Sequence, residues 1–357
     1  MYLDSNGIWQ WRYCATSNKE TGYEELIPKL NIISKEDFIN SKKQEDYVAE
    51  VLRLIRTVNI YPIYYFSDSG IKNEIYACTV QNVSFPVENS RAGSVLLDFM
   101  FPNLHLINAG NNQNNCLYSR FYDDVKFSKC LTRHMKNYKF TNIRTPFFMY
   151  GRFFWSTATN FNCMRAKAVY QHFCKDGYTV YDSSAGYGSR LLGARTARKH
   201  LTYVGCEPNS NTAFNLNKLG QYLGSYQIIP VGSEEVQLEK ESIDFAFTCP
   251  PYFGVERYSE EATQSIIKFP EYTQWLRGFV KPTLERTYKA LRPGRYAVYA
   301  LAQQIYYRNI KYSLSSDWTK IALQVGFDLV DRIGITNMSR KKPDNAEQYF
   351  VFRKKGG

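Results

Sequence analysis

Thr179-Val180-Tyr181-Asp182-Ser183-Ser184-Ala185-Gly186-Tyr187-Gly188-Ser189-Arg190-Leu191-Leu192-Gly193 reads as a short apolar strand, a tight glycine-rich turn and a helix running to about His200. Gly186 and Gly188 permit positive φ and let a ligand approach the backbone closely. A lone Gly-x-Gly is weak evidence, because many turns contain one. A dinucleotide-binding loop wants a third Gly or Ala where Leu191 stands, so a nicotinamide cofactor is disfavoured.

Three further strands follow, each ending in a group suited to a ligand. Tyr203-Val204-Gly205-Cys206 ends in Glu207-Pro208, and Glu207 lies 25 residues after Asp182, where a carboxylate can accept both hydroxyls of a ribose. A third strand, Gln227 to Val231, ends in Gly232-Ser233-Glu234. The fourth, Ile243 to Phe247, runs into Thr248-Cys249-Pro250-Pro251-Tyr252-Phe253. Two prolines cannot continue a ladder and fix their own φ, so an aromatic ring sits there on a rigid corner. In open α/β sheets the carboxyl edge of the strands is where ligands bind. A flat ring beside exposed carbonyls suits gripping a planar base by its face and amino edge, although a strand-ending turn with a core tyrosine has the same pattern.

The order Asp-x-x-x-Gly-x-Gly, Glu, Gly-Ser-Glu and x-Pro-Pro-Tyr resembles the S-adenosylmethionine-dependent methyltransferases that modify exocyclic amino groups of DNA bases. The resemblance covers roughly residues 145 to 357 and is closest to phage and mobile-element members carrying Ala-Gly-x-Gly-x-Arg-Leu-Leu-Gly. It implies an α/β fold: a Rossmann-like class I methyltransferase sheet of seven mostly parallel strands over residues 144–357, with an α+β accessory domain over 1–143. The remaining elements are available. Glu271 to Leu291 has the spacing of a long helix with Pro282 inside it, Tyr296 to Ala302 reads as a strand, Asp317 to Val325 as a helix, and Phe327 to Ile333 with Gln348 to Arg353 as a closing pair.

By the resemblance, Asp182, Ser183, Ala185, Gly186 and Gly188 line the methionine part of S-adenosylmethionine, Glu207 takes the ribose, and Ser233 or Glu234 reaches the adenine edge. Asn162 is a reasonable N-cap of a helix to about Phe173, and with Arg165 a second-rank candidate for covering the cofactor. Cys249, Pro250, Pro251 and Tyr252 form the catalytic corner. An exocyclic amino nitrogen is a poor nucleophile because its lone pair is delocalised into the ring. Hydrogen bonds accepted from both its hydrogens, by a side chain and a proline carbonyl, pull it toward tetrahedral geometry for in-line attack on the sulfonium methyl. Tyr252 stacks on the base, a contact of about 1–3 kcal/mol, which helps offset a flipping cost of a few kcal/mol in duplex substrate.

One departure matters. The family usually has Asp, Asn or Ser where this chain has Cys249, and a neutral thiol is a weak acceptor. Three readings stay open: the site works like the serine variants, with the Pro250 carbonyl carrying more; a thiolate accepts; or the chain binds without catalysing. Cysteine-nucleophile ring methylation is dismissed, because those enzymes have a Pro-Cys order and here the cysteine precedes both prolines. The residue type does not decide between N6-adenine and N4-cytosine, and an RNA base remains the alternative substrate.

Charge agrees with a nucleic-acid partner. The 357 residues carry a net +12; residues 1–150 hold 17 Lys/Arg against 15 Asp/Glu, leaving 28 against 18 for the rest. Between Arg120 and Tyr170, ten cations (Arg120, Lys126, Lys129, Arg133, Lys136, Lys139, Arg144, Arg152, Arg165 and Lys167) interleave with aromatics. That strip reads as a nucleic-acid track, or as a solvated basic face over an aromatic core. Arg152, Arg165, Lys167, Phe253, Arg257 and Tyr258 are the candidate nucleic-acid contacts. The loop Gly254 to Phe269 is placed to close over a flipped base.

In residues 1–143, Glu45 to Thr57 reads as an amphipathic helix; Ile60 to Phe66, Glu74 to Val80 and Val95 to Phe99 read as strands; Gly110 to Asn115 is a polar loop. Only about 67 residues separate Asp182 from Cys249, with no large insertion after Tyr252, so target recognition falls to this region by elimination. Eight scattered cysteines without zinc spacing, and no signal peptide, imply reduced thiols in a cytoplasm. Four histidines form no ligand cluster, and no apolar run approaches membrane-spanning length. Composition rich in Asn, Ile, Lys, Tyr and Phe suits a phage or mobile element.

Overall fold

The apolar runs read above become strands of one sheet in the computed structural model, which describes residues 1–30, 34–86, 88–109, 116–154, 158–335 and 347–356, with only the backbone at 29, 109, 152–154 and 256. The strands are β1 (Thr179–Asp182), β2 (Thr202–Cys206), β3 (Tyr226–Ile229), β4 (Ile243–Thr248), β5 (Leu291–Ala302), β6 (Phe327–Gly334) and β7 (Glu347–Lys354). Their spatial order is β6-β7-β5-β4-β1-β2-β3. β1 pairs in parallel with β2 and β4, β2 with β3, and β4 with β5. β7 alone runs against its neighbours, antiparallel to both β5 and β6. This is the seven-stranded, mostly parallel Rossmann-like sheet of the class I methyltransferase fold.

Period-two alternation explains why the sheet takes helices on both faces. From β5, Ala297, Tyr299 and Leu301 enter the core shared with Trp275, Phe279, Val280, Leu284 and Trp318; from β7, Phe350 and Phe352 do the same. The opposite face presents Phe245 and Phe247, which meet Phe173, Tyr170 and Phe161 of the segment entering and forming helix Cys163–Phe173, with Tyr349 against Phe247. Each such fully buried large side chain contributes roughly 1.5–3 kcal/mol. The long helix after the catalytic corner is Tyr272–Trp275, a π turn at Leu276–Val280, then Lys281–Ala290. Pro282 has no N–H to donate into the helical ladder, and the widened turn before it absorbs that break without ending the helix.

The chain divides into two compact units: residues 1–73 with 101–159, and residues 74–100 with 160–357. The boundary expected from sequence is a single one, at 143/144. The first unit is mostly helical. Helix Gln44–Val58 is the amphipathic element expected over Glu45 to Thr57, and it buries Val48, Val51, Leu52 and Ile55. The other expectations for this region are corrected. Glu74 to Val80 lies in helix Asp68–Val80 and Val95 to Phe99 in helix Ser94–Met100, while Ile60 to Phe66 contributes only an isolated bridge between Tyr65 and Glu20. Short apolar runs are ambiguous between strand and buried helix. Here local capping decides, since Ser67 Oγ accepts from Gly70 N at 3.3 Å. The loop Gly110 to Asn115 lies outside the described residues.

The basic and aromatic strip is also corrected in part. Phe121, Phe127, Phe140, Phe147 and Phe148 are buried, and so is Arg120, whose Nη1 donates to Gly151 O at 3.2 Å. Lys129, Arg133, Lys136 and Lys139 lie on and just past helix Asp124–Met135, and all four are exposed. No described helix is long and apolar enough to cross a membrane.

Candidate active site

Four strand ends of the second unit converge, and the glycine-rich turn between β1 and helix Ser189–Arg195 is the most tightly specified part. Gly186 (φ 54°) and Gly188 (φ 74°) both occupy the left-handed region, where a side chain would be strained. Ala185 N donates to Cys206 O at 2.8 Å, and Gly186 N donates to Glu207 Oε2 at 3.0 Å, lashing the turn to the end of β2. Asn160 Nδ2 holds Tyr187 O at 2.8 Å from the other side.

Asp182 is fully buried and its carboxylate is spent on the fold. Oδ2 accepts from Arg190 Nε and from the Tyr203 hydroxyl, both at 2.7 Å, and Oδ1 accepts from Ser184 N at 3.1 Å. Arg190 also reaches Ser184 O and lies over the Phe161 ring. Burial, the largest single effect, works against the guanidinium charge, but Asp182, Cys249 and Tyr203 together outweigh it and the Arg190 pKa rises. Asp182 therefore sets the shape of the turn, with Oδ2 filled and one lone pair left on Oδ1. Arg190 and Asn160, which the motif reading passes over, do the same work. The i,i+8 spacing of Asp182 and Arg190 across a tight turn is the signal that could have found the pair.

Glu207 differs. It is 9% exposed, its two oxygens each take one backbone amide (Gly186 N at 3.0 Å, Asn209 N at 2.9 Å), and no cation neutralises it among the described residues. Burial, the largest effect, pushes its carboxyl up to about 7, against the pull of those two amides. Each oxygen keeps a lone pair, so a ligand that brings hydroxyl donors would stabilise the charged form.

At the third strand end, Ser233 Oγ is hydrogen-bonded to Thr283 Oγ1 at 2.8 Å and both are buried. The serine therefore faces the helix behind it, a correction to its expected reach toward a ligand. Glu234 Oε1 accepts from Lys268 Nζ at 2.7 Å, whereas Oε2 is buried with no partner among the described residues. Ser183 Oγ, Ser189 Oγ and Thr248 Oγ1 are likewise buried and unpartnered among those residues. Buried polar atoms are normally satisfied, so these orphans at the ends of β1, β3 and β4 mark a place for a polar ligand.

After β4, Pro250 is buried while Cys249, Pro251 and Tyr252 are half-buried. The Tyr252 hydroxyl accepts from Ala302 N at 3.0 Å, lies 3.5 Å from Ala300 O and 3.3 Å from Glu347 Oε1, and sits 3.9 Å from Cys249 Sγ. Its ring is thus held at both ends, by the prolines and by the tip of β5. Phe253 is corrected outright: at 2% exposure it packs among Tyr272, Trp275, Tyr307 and Tyr312 as core.

The remaining candidates scatter. Lys167 is fully buried and its ammonium donates to Cys78 O, Thr79 O and Gln81 O at 2.7, 2.9 and 2.6 Å. It caps the carboxyl end of helix Asp68–Val80, where orphaned carbonyls and the negative helix pole attract a cation, so it is no nucleic-acid contact. Burial pulls its pKa down to about 8, with nearby Arg198 adding to the effect. Asn162 is the N-cap, accepting from Arg165 N at 3.0 Å and donating to Ser90 O at 2.8 Å; Arg165 Nε donates to Glu88 O at 2.9 Å. Both are thereby committed to the packing of residues 88–90. Arg257 is paired with Glu260, and Tyr258 lies beside the Tyr187 ring. The Arg152 side chain lies outside the described residues. The Gly254 to Phe269 loop is tied down, with Ser210 Oγ donating to Glu261 Oε1 at 2.6 Å and Thr263 Oγ1 to Pro208 O at 3.1 Å. All eight cysteines are free thiols, and no metal-ligating cluster occurs among the described residues.

No protein-family model matches this chain, and no curated protein matches it. Among solved structures it is similar to TrmN from Thermus thermophilus, with 15% identity over 54% of this chain and TM-score 0.39. The match spans about half (49%) of TrmN. A TehB-like SAM-dependent methyltransferase from Corynebacterium glutamicum is 13% identical over 53% of this chain and 87% of its own, with TM-score 0.37. The [4+2]-cyclase SpnF is 9% identical over 57% of this chain and 87% of its own, with TM-score 0.42. The fold assignment rests on strand order and pairing, not on these likenesses.

Proposed function

We propose that this protein transfers a methyl group from S-adenosylmethionine to the exocyclic amino group of a base in DNA, at adenine N6 or cytosine N4. The observation that carries the reading is the Cys249-Pro250-Pro251-Tyr252 corner at the carboxyl edge of β4, the strand paired directly with β1 and its Gly186/Gly188 turn. The residues present fit the cofactor. Glu207 offers two lone pairs to a ribose diol, the unpartnered Oε2 of Glu234 is an acceptor for an adenine amino group, and Ser183 and Ser189 offer hydroxyls beside the turn. When bound, the cofactor supplies an electrophilic methyl on a sulfonium.

The chain's own residues supply positioning. The Tyr252 ring, fixed by Pro250 and Pro251 and by its hydroxyl on Ala302 N, gives a rigid face on which a base stacks without loss of side-chain freedom. The proline carbonyl beside it accepts one amino hydrogen. The first unit serves target recognition, with Lys129, Arg133, Lys136 and Lys139 contacting phosphates.

The test is transfer of labelled methyl from S-adenosylmethionine to unmethylated DNA and to RNA, followed by nucleoside mass spectrometry. N6-methyladenine or N4-methylcytosine in DNA is the expected product. Product in RNA alone would move the substrate to RNA. No product on either polymer with cofactor bound would make the chain a binding protein with Cys249 as its lesion.

A further inference from the structure

Antiparallel β7 does what no parallel strand of the sheet can do. The parallel strands bring their last residues to the carboxyl edge, and β7 brings its first. That residue is Glu347, in register with Ala302 at the tip of β5. Its Oε1 lies 3.3 Å from the Tyr252 hydroxyl, and the same hydroxyl lies 3.9 Å from Cys249 Sγ. Sulfur and carboxylate thus flank one phenol oxygen at the catalytic corner. Glu347 is half-buried and takes no part in an ion pair among the described residues. Asp182, at the end of β1, already accepts from Arg190, Tyr203 and Ser184 N.

Resting on the methyltransferase reading above, we propose that Glu347 is the side-chain acceptor for the target amino group, the role that the Cys249 thiol is too weak to fill. A hydrogen bond to an ionised acceptor is about twice as strong as one between neutral groups, and a thiol is a weaker acceptor than either. The acceptor is delivered by a strand that begins 95 residues downstream of Tyr252. In the step, the amino nitrogen forms the new N–C bond as the S–C bond breaks. The sulfonium leaves as a neutral thioether, and the methylated nitrogen takes the positive charge. One of its protons passes to the Glu347 carboxylate and from there to water. Tyr252 orients that carboxylate through its hydroxyl while its ring carries the base.

The experiment measures single-turnover methyl transfer to unmethylated DNA or RNA, whichever the wild type accepts, and S-adenosylmethionine affinity by calorimetry. The variants are Glu347→Gln, Cys249→Asp and the two combined. Glu347→Gln is expected to slow transfer by about 100-fold, the scale of losing one well-placed charge-stabilising group, with cofactor affinity within about twofold of wild type. Cys249→Asp in the Glu347→Gln background is expected to recover at least about tenfold, because it restores a carboxylate acceptor at the corner. A Glu347→Gln rate within about threefold of wild type, or a double variant no faster than the single, overturns the proposal. A wild type that binds cofactor yet methylates neither polymer sinks the methyltransferase reading and this proposal together, whereas an active wild type with an equally active Glu347→Gln sinks this proposal alone.

Discussion

Glu207→Gln gives the sharpest test of the cofactor site, because its sign changes with pH. In the folded protein burial raises the Glu207 carboxyl to about 7, and an unfolded glutamate titrates near its ordinary 4.5. A raised folded pKa means that the favourable state is the protonated one. Its contribution is fully present below about pH 4.5 and is lost as pH rises through 7. Above pH 7 the ionised, buried carboxylate costs about 3 kcal/mol, taking roughly 1.4 kcal/mol per pH unit over the interval. Glutamine removes that cost but accepts through one oxygen, leaving one of the two amides of Gly186 and Asn209 facing an NH2 group, a loss of about 1 kcal/mol. At pH 8 the variant without ligand is therefore expected to be more stable than wild type by about 2 kcal/mol, which is roughly 4–8 °C in Tm. At pH 4 it is expected to be less stable by about 1 kcal/mol. Thermal melts at the two pH values, with calorimetric titration of S-adenosylmethionine, read all of this. The wild type is expected to release about half a proton per cofactor bound at pH 7, where a carboxyl with a pKa of about 7 is half protonated, and close to one at pH 6, because ribose hydroxyls favour the carboxylate; the variant releases none. A variant destabilised equally at both pH values, or proton release unchanged by the substitution, would refute the reasoning.

Tyr252→Ala is expected to reduce methyl transfer by roughly 5- to 150-fold, the range that one base–aromatic stack supplies, with S-adenosylmethionine affinity kept; unchanged transfer would remove the stacking role. Lys167→Ala strands three helix-end carbonyls and is expected to cost about 3 kcal/mol of stability while leaving affinity for DNA unchanged, which a denaturant titration and a binding isotherm on the same sample decide. Replacing Lys129, Arg133, Lys136 and Lys139 together by alanine is expected to flatten the slope of log affinity against log salt by about one for each phosphate these cations neutralise; a parallel salt plot would place them away from the nucleic acid.

The sheet is legible in the chain because its signals are local. Apolar runs of four to six residues ending in Asp182, Glu207, Glu234 and Cys249 mark parallel strands. The paired prolines after Cys249 and the two glycines after Asp182 mark the turns at their carboxyl ends, since the backbone leaves few other conformations open to them. The closing pair Phe327 to Ile333 and Gln348 to Arg353 is visible too, the second through the continuous apolar run Tyr349-Phe350-Val351-Phe352. Tertiary structure decides which charges remain at the surface and which are consumed. Nothing in a sequence of alternating cations and aromatics separates Lys136, in solvent, from Lys167, spent on carbonyls of a helix some ninety residues earlier. Asp182 has the position of a ligand group, yet Arg190 and Tyr203 both hold its Oδ2. The arrival of Glu347 beside Tyr252 depends on β7 entering the sheet in the reverse direction, which is a property of pairing and not of any residue in the strand. Local conformation is set by short-range sterics that a sequence carries on its face. The environment of a charge is set by contacts between residues far apart in the chain, and only the folded sheet brings those together.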